Sequence, residues 1–209
     1  MRTKLCVLLR YLIILFTAIQ CSFVGFEQYF ATPICVGSKL TKATDDDELV
    51  DESLHQSAVG SLQYLSTMTR TDITFAVSNV AKYCSKPTKE HWIAVKRIMR
   101  YLKGTHNLGL TYKKSDSNSC VGFSDSDWAG DLDDSKSTSG YIFQVGGTAI
   151  SWKSRKQSCV ALSTAEAEYI ALSLAAQEAI WLRQLNTDLQ ENPKHTPVSY
   201  THLTLPTKA

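Results

Sequence analysis

Three acids, Asp125, Asp127 and Glu168, are the side chains of this chain whose types and spacing best suit catalysis. Asp125 and Asp127 lie two apart at the end of an apolar alternation, so on a strand their side chains leave one face of the sheet. With Glu168 they would make an oxygen-rich site suited to magnesium or manganese. A calcium loop also begins Asp-x-Asp-x-x-Gly, which Asp125, Asp127 and Gly130 satisfy, but Ala129 and Lys136 occupy its fifth and twelfth positions, where ligands are required. An acidic surface loop is what composition alone favours. Glu166, next to Glu168, has a structural job: Ser163 and Glu166 form a capping box, Ser163 accepting from the Glu166 amide and the Glu166 carboxylate returning to the Ser163 amide. Glu168 has no such local role and borders the run Ala171, Leu172, Ala175, where an isolated charge would be costly.

The elements that must position these acids are legible from period. Val121 and Phe123, then Tyr141, Phe143 and Val145, then the run from Ala149 to Val160 through Trp152, predict three antiparallel strands. Gly146-Gly147 joins the last two as a tight hairpin, and the segment from Trp128 to Gly140 is the preceding loop. A helix follows from Thr164 to Leu189. Upstream, Ala58, Leu62 and Leu65 recur at helical spacing, and Asp72 to Cys84 repeats the pattern, with Asp72 as its cap or first-turn acid. Thr88 caps a third helix that runs through Lys103 to a stop at Gly104. Trp92, Val95, Met99 and Leu102 form its apolar stripe, and Lys96, Arg100 and Lys103, with Arg97 nearby, its basic one. From Lys86 to Lys114 the only acid is Glu90. A solvated helix face and a phosphate-contacting one both fit that charge.

With 209 residues, 44% of them apolar and 20% charged, the chain has an ordinary globular composition, and its net charge of +2 is too small to argue for nucleic acid by itself. Six cysteines, with no CxxC pair and no Cys/His cluster at zinc spacing, give no basis for a zinc site and favour reduced thiols. Arg2 and Lys4 precede an apolar run from Leu5 to Ile19. It reads as a signal-like leader, a spurious start or a buried helix, and is short for a membrane span, which needs about 20 residues.

Five segments, in order, resemble the C-terminal part of copia-type retrotransposon Pol polyproteins: Ala58 to Leu65 (AVGSLQYL), Glu90 to Thr105 (EHWIAVKRIMRYLKGT), Phe123 to Gly130 (FSDSDWAG), Ser137 to Tyr141 (STSGY) and Ser163 to Tyr169 (STAEAEY). The resemblance spans roughly Thr32 to Val198. It implies the end of the reverse-transcriptase connection followed by part of a ribonuclease H domain, which cuts the RNA strand of an RNA–DNA hybrid with two divalent ions about 4 Å apart. By resemblance, Asp125 is the first catalytic aspartate, Glu168 the glutamate of the first helix, and Asp127 an outer contact to the metals. Lys96, Arg97, Arg100 and Lys103 would track the hybrid's phosphates. The implied partners are nucleic acid and the rest of the polyprotein, with no stable membrane partner. The parent would work in a cytoplasmic virus-like particle or the nucleus, and the apolar run leaves a secreted or anchored alternative.

The family pattern needs two further aspartates, one on the strand after the helix and one beyond it, yet no acid follows Glu191. Metal binding is therefore expected to be weak or absent, and hydrolysis to belong to the intact parent. The expected fold class is α/β (α+β): a helical connection segment followed by a partial ribonuclease H-like fold of three antiparallel strands and the first helix, its later strands missing. The expected organisation is an apolar leader over 1–24, an acidic linker over 25–53, the helical segment over 54–114, the partial domain over 115–197 and a tail over 198–209 that is foreign to the family and has the form of translated adapter sequence. Without later strands, the first strand would lie open along one edge.

Overall fold

A computed structural model describes residues 32–35, 37, 39–113, 119–189 and 198–201. The apolar run, Lys114, Glu191 and residues 202–209 lie outside the described residues. The architecture is mixed helix and strand, as expected. Helices α1 (Glu52–Met68), α2 (Thr74–Ala81) and α3 (Lys89–Gly104) precede β1 (Cys120–Ser126), β2 (Thr138–Val145) and β3 (Thr148–Lys156), then α4 (Thr164–Leu189) and β4 (Val198–Thr201).

Helices α1 and α3 start where their capping chemistry begins. The Asp51 carboxylate accepts from the Leu54 amide at 2.8 Å, so α1 opens two residues before the expected boundary. At α3 the box is closed by a histidine: the Thr88 amide donates to His91 Nδ1 at 2.9 Å, and His91 stacks on Tyr83 at 4.2 Å between ring centroids. Asp72 caps no α-helix. It sits in a 3₁₀ turn, Thr71–Ile73, where Arg70 grips it through two bonds of 2.9 and 2.6 Å and Tyr101 donates to it at 2.8 Å. A planar guanidinium offers two parallel donors, which outbids the backbone amides for that carboxylate.

Along α3 the buried side chains are His91, Val95, Ile98, Met99, Tyr101 and Leu102, a wider face than the stripe read from spacing, while Trp92 is only half-buried. All of these but His91 pack with Ala58, Val59 and Leu62 of α1 and Ala76, Val77 and Val80 of α2 in one core. The acidic stretch before α1 is exposed, but its backbone is tied down: Val50 N–H donates to Pro87 O at 2.9 Å and Lys89 N–H to Glu48 O at 3.0 Å.

The sheet order is β3-β2-β1-β4. β1 and β2 pair antiparallel with Asp125 opposite Gly140, and β2 and β3 join through Gly146 and Gly147, both at positive φ (57° and 78°), as a two-residue hairpin requires. The strand not anticipated is β4. It pairs parallel to β1, with Val121 opposite Val198, and covers the edge expected to lie open. A parallel partner after a helix is the ordinary return of a strand–helix–strand unit, and four residues with strand-forming Val, Tyr and Thr are enough to make it.

Helix α4 covers one face of the sheet, where Phe143 is fully buried against Ala175 and Leu182. Gly122 lies directly beneath that ring, and a Cβ there would come within 2.2 Å of it. Toward the other face, Trp152 Nε1 donates to Ser66 O of α1 at 2.8 Å, docking the sheet on the helices. No helix among the described residues is long and apolar enough to cross a membrane.

Candidate active site

Asp125 occupies the penultimate position of β1 and Glu168 the second turn of α4. The chain brings them together: their carboxyls lie within hydrogen-bond reach, and the Ser126 amide donates to Glu168. Partial burial and the nearby Asp125 charge push the Glu168 carboxyl above its ordinary value. Two adjacent carboxylates facing the same space repel unless a proton or cation lies between them. This arrangement can therefore bind a divalent ion or share a proton.

The start of α4 is held by its cap, with one difference from the expected box. Ser163 Oγ accepts from the Glu166 amide at 3.1 Å as expected, but the Glu166 carboxylate takes the Leu162 amide at 2.7 Å rather than that of Ser163. The side chain is long enough to reach one residue beyond the cap, and a charge-assisted bond there still fastens the entering chain. Glu166 thus points back along the backbone, leaving Glu168 to face β1.

Asp127 does not join the pair in a cluster. Just past the end of β1, its carboxylate takes the Thr138 amide at 2.5 Å, and its backbone N–H donates to Thr138 O at 3.2 Å. Gly130 packs so closely on that carboxylate that a Cβ would come within 2.3 Å of it. Asp127 therefore closes the loop over residues 127–137. Among the described residues no three His, Cys, Asp or Glu side chains converge as a metal-ligand group.

The basic residues of α3 divide. Arg97 reaches the segment before α1, donating to Thr32 O at 3.2 Å and Thr32 Oγ1 at 3.0 Å. Lys96 lies over the Trp92 ring at 5.7 Å, and burial, together with Arg100 and Lys89, lowers its pKa. Lys103 is exposed. Arg97 and Arg100 line one cavity of about 780 Å³ with Asp127 and Thr138, so the basic helix and the loop after β1 border the same space.

Two residues near the acids were not anticipated. Asp131, its side chain 2% exposed, binds Lys82, the C-cap of α2, at 3.1 Å and Lys156 of β3 at 2.7 Å. Gln157, just after β3, is buried between β1, β2 and α4. Neither belongs to a periodic pattern, and their partners are distant in sequence, so no local signal marks them.

No family model and no solved structure matches the chain. Among characterised sequences it is 43% identical over 170 residues to the retrovirus-related Pol polyprotein from transposon RE2 of Arabidopsis thaliana, 81% of this chain and 12% of that protein. It is 50% identical over 135 residues to the corresponding polyprotein from transposon TNT 1-94 of Nicotiana tabacum, 65% of this chain and 10% of that protein. It is also 48% identical over 126 residues to secreted RxLR effector protein 161 of Plasmopara viticola, 60% of this chain and 89% of that protein. The chain spans about a tenth of the Pol polyproteins it matches.

Proposed function

Because the chain belongs to the copia-type retrovirus-related Pol family, we propose that it is the part of such a polyprotein that carries the first two carboxylates of a ribonuclease H site. The observation that supports this reading most is the meeting of Asp125 and Glu168, 43 positions apart in sequence, at the end of β1 and the start of α4. Their oxygens fit one Mg²⁺ or Mn²⁺ ion, whose charge would relieve the repulsion between them. When bound, the metals of such a site activate water and stabilise the leaving oxygen. What this chain's own residues do is narrower. Asp125 and Glu168 would hold an ion, the Ser126 amide and the Ser163–Glu166 cap orient Glu168, and Asp127 fixes the loop beside it.

Beside β1, where the family pattern calls for a third carboxylate, β4 reads Val198, Ser199, Tyr200, Thr201. The activity of the whole polyprotein therefore does not carry over, and the chain by itself is expected not to hydrolyse a hybrid. The test is Mn²⁺ titration followed by relaxation of backbone amide signals. Weak binding that broadens Ser126 and Glu168 first, and that Asp125→Asn abolishes, supports the reading. Binding unaffected by Asp125→Asn refutes it.

A second reading, nucleic-acid binding without hydrolysis, is favoured by the cavity that Arg97 and Arg100 share with the loop after β1. Affinity for an RNA–DNA hybrid should then fall steeply with salt, and Arg100→Ala should lower the magnitude of the slope of log K against log salt by about 1. Preference for the hybrid over duplex DNA would join the two readings, since the 2′-hydroxyl is what separates the strands chemically.

A further inference from the structure

Gln157 touches all three elements that meet at the acid pair. Its Nε2 donates to Ser139 Oγ of β2 at 2.8 Å, to Ala167 O of α4 at 3.0 Å and, more weakly, to Ser126 Oγ of β1 at 3.3 Å. Ser126 follows Asp125 and Ala167 precedes Glu168, so one amide bonds the immediate neighbours of both acids. The residue is 4% exposed, and its own backbone N–H is anchored on Ser137 O at 2.8 Å.

The orientation of the amide is settled by chemistry. Ser139 and Ser126 hydroxyls can donate or accept, but the Ala167 carbonyl can only accept, so the NH₂ end must face it. That leaves Gln157 Oε1 buried without a hydrogen-bond partner, a cost the fold carries in order to keep the donor end on α4. A residue needed only to fill space would be better served there by an apolar side chain of equal length, which brings no orphaned acceptor.

We propose that Gln157 is a positioning residue, which sets the distance between Asp125 and Glu168 by pinning the first turn of α4 to the ends of β1 and β2. The proposal rests on the reading of the two acids as a metal-binding pair. It explains why a strand that ends in the basic residues Arg155 and Lys156 is followed by a buried amide rather than another surface residue.

The test is Gln157→Met, which keeps the length and volume but removes both donors. Two readouts are taken on the folded chain: hydrogen exchange at the Ser126 amide, which donates to Glu168, and Mn²⁺ affinity. Exchange at Ser126 should quicken about tenfold or more while Phe143 in the centre of β2 keeps its protection, and Mn²⁺ affinity should fall about 10- to 100-fold. Ser139→Ala, which removes one partner and leaves the bond to Ala167, should shift both in the same direction by less, and serves if the methionine variant does not fold. Unchanged Ser126 exchange and Mn²⁺ affinity in a folded variant would overturn the positioning role and leave the metal-pair reading standing. Mn²⁺ binding that Asp125→Asn does not weaken would overturn that reading, and the proposal with it.

Discussion

Replacing Asp131 by asparagine should loosen the joint between the helices and the sheet. The carboxylate is buried, and Lys82 and Lys156 reach it from the C-cap of α2 and from β3 at 3.1 and 2.7 Å. Burial alone would raise its pKa, but the bonds from Lys156 and Lys82 outweigh that and hold it at about 2, against an ordinary 3.8. A carboxyl depressed by that much contributes about 2 kcal/mol of stability once it is ionised in both states. The sign follows from the direction: the contribution is fully present above pH 3.8 and is lost as the pH falls toward about 2. Removing one partner of a buried pair costs about 3–5 kcal/mol when the stranded charge has nowhere to go. Here Lys156 keeps Asp134 at 2.7 Å, and both lysines retain some exposure, so the loss at pH 7 should be about 2–3 kcal/mol. Urea unfolding followed by tryptophan fluorescence measures it, since Trp152 bridges the same joint. The gap between wild type and Asp131→Asn should be constant from pH 7 to about 5 and shrink below about 4. A gap under about 0.5 kcal/mol, the size of an exposed pair, or one that does not change down to pH 2.5, would refute the reasoning.

In metal-free buffer at pH 7, Glu168→Gln should raise the melting temperature by removing the repulsion with Asp125, and it should abolish any further rise on adding Mn²⁺. A fall in metal-free buffer would mean that the pair is held by something other than a cation. His55 is fully buried, and neither ring nitrogen has a partner; burial first, then His91, lowers its pKa, and His91 is lowered too. The unfolded chain then binds more protons than the folded one below about pH 6.5, so the helical core should lose stability as the pH falls from there, and His55→Leu should flatten a melting curve series from pH 7.5 to 5. Gly122→Ala sets a methyl group against the Phe143 ring and should cost about 1–3 kcal/mol in urea unfolding, against less than about 0.5 for Gly109→Ala, where a Cβ meets nothing.

What could be read without coordinates was local. The Thr88 cap and the 3.6-residue period located α3, Gly146-Gly147 located the hairpin, and Ser163 with Glu166 located the start of α4, because caps and turns depend on side chains within four residues of the backbone they satisfy. The pair Asp125 and Glu168 was legible through resemblance, and the structure adds their approach. Tertiary structure alone decided that Asp127 closes a loop on Thr138, that Asp131 joins two lysines, 49 positions upstream and 25 downstream, that Gln157 ties three elements at the acids, and that four residues after α4 cover the edge of β1. A carboxylate's neighbour in sequence limits its reach, but its partner is whichever donor the packed elements bring near, and that follows from how apolar faces close on one another.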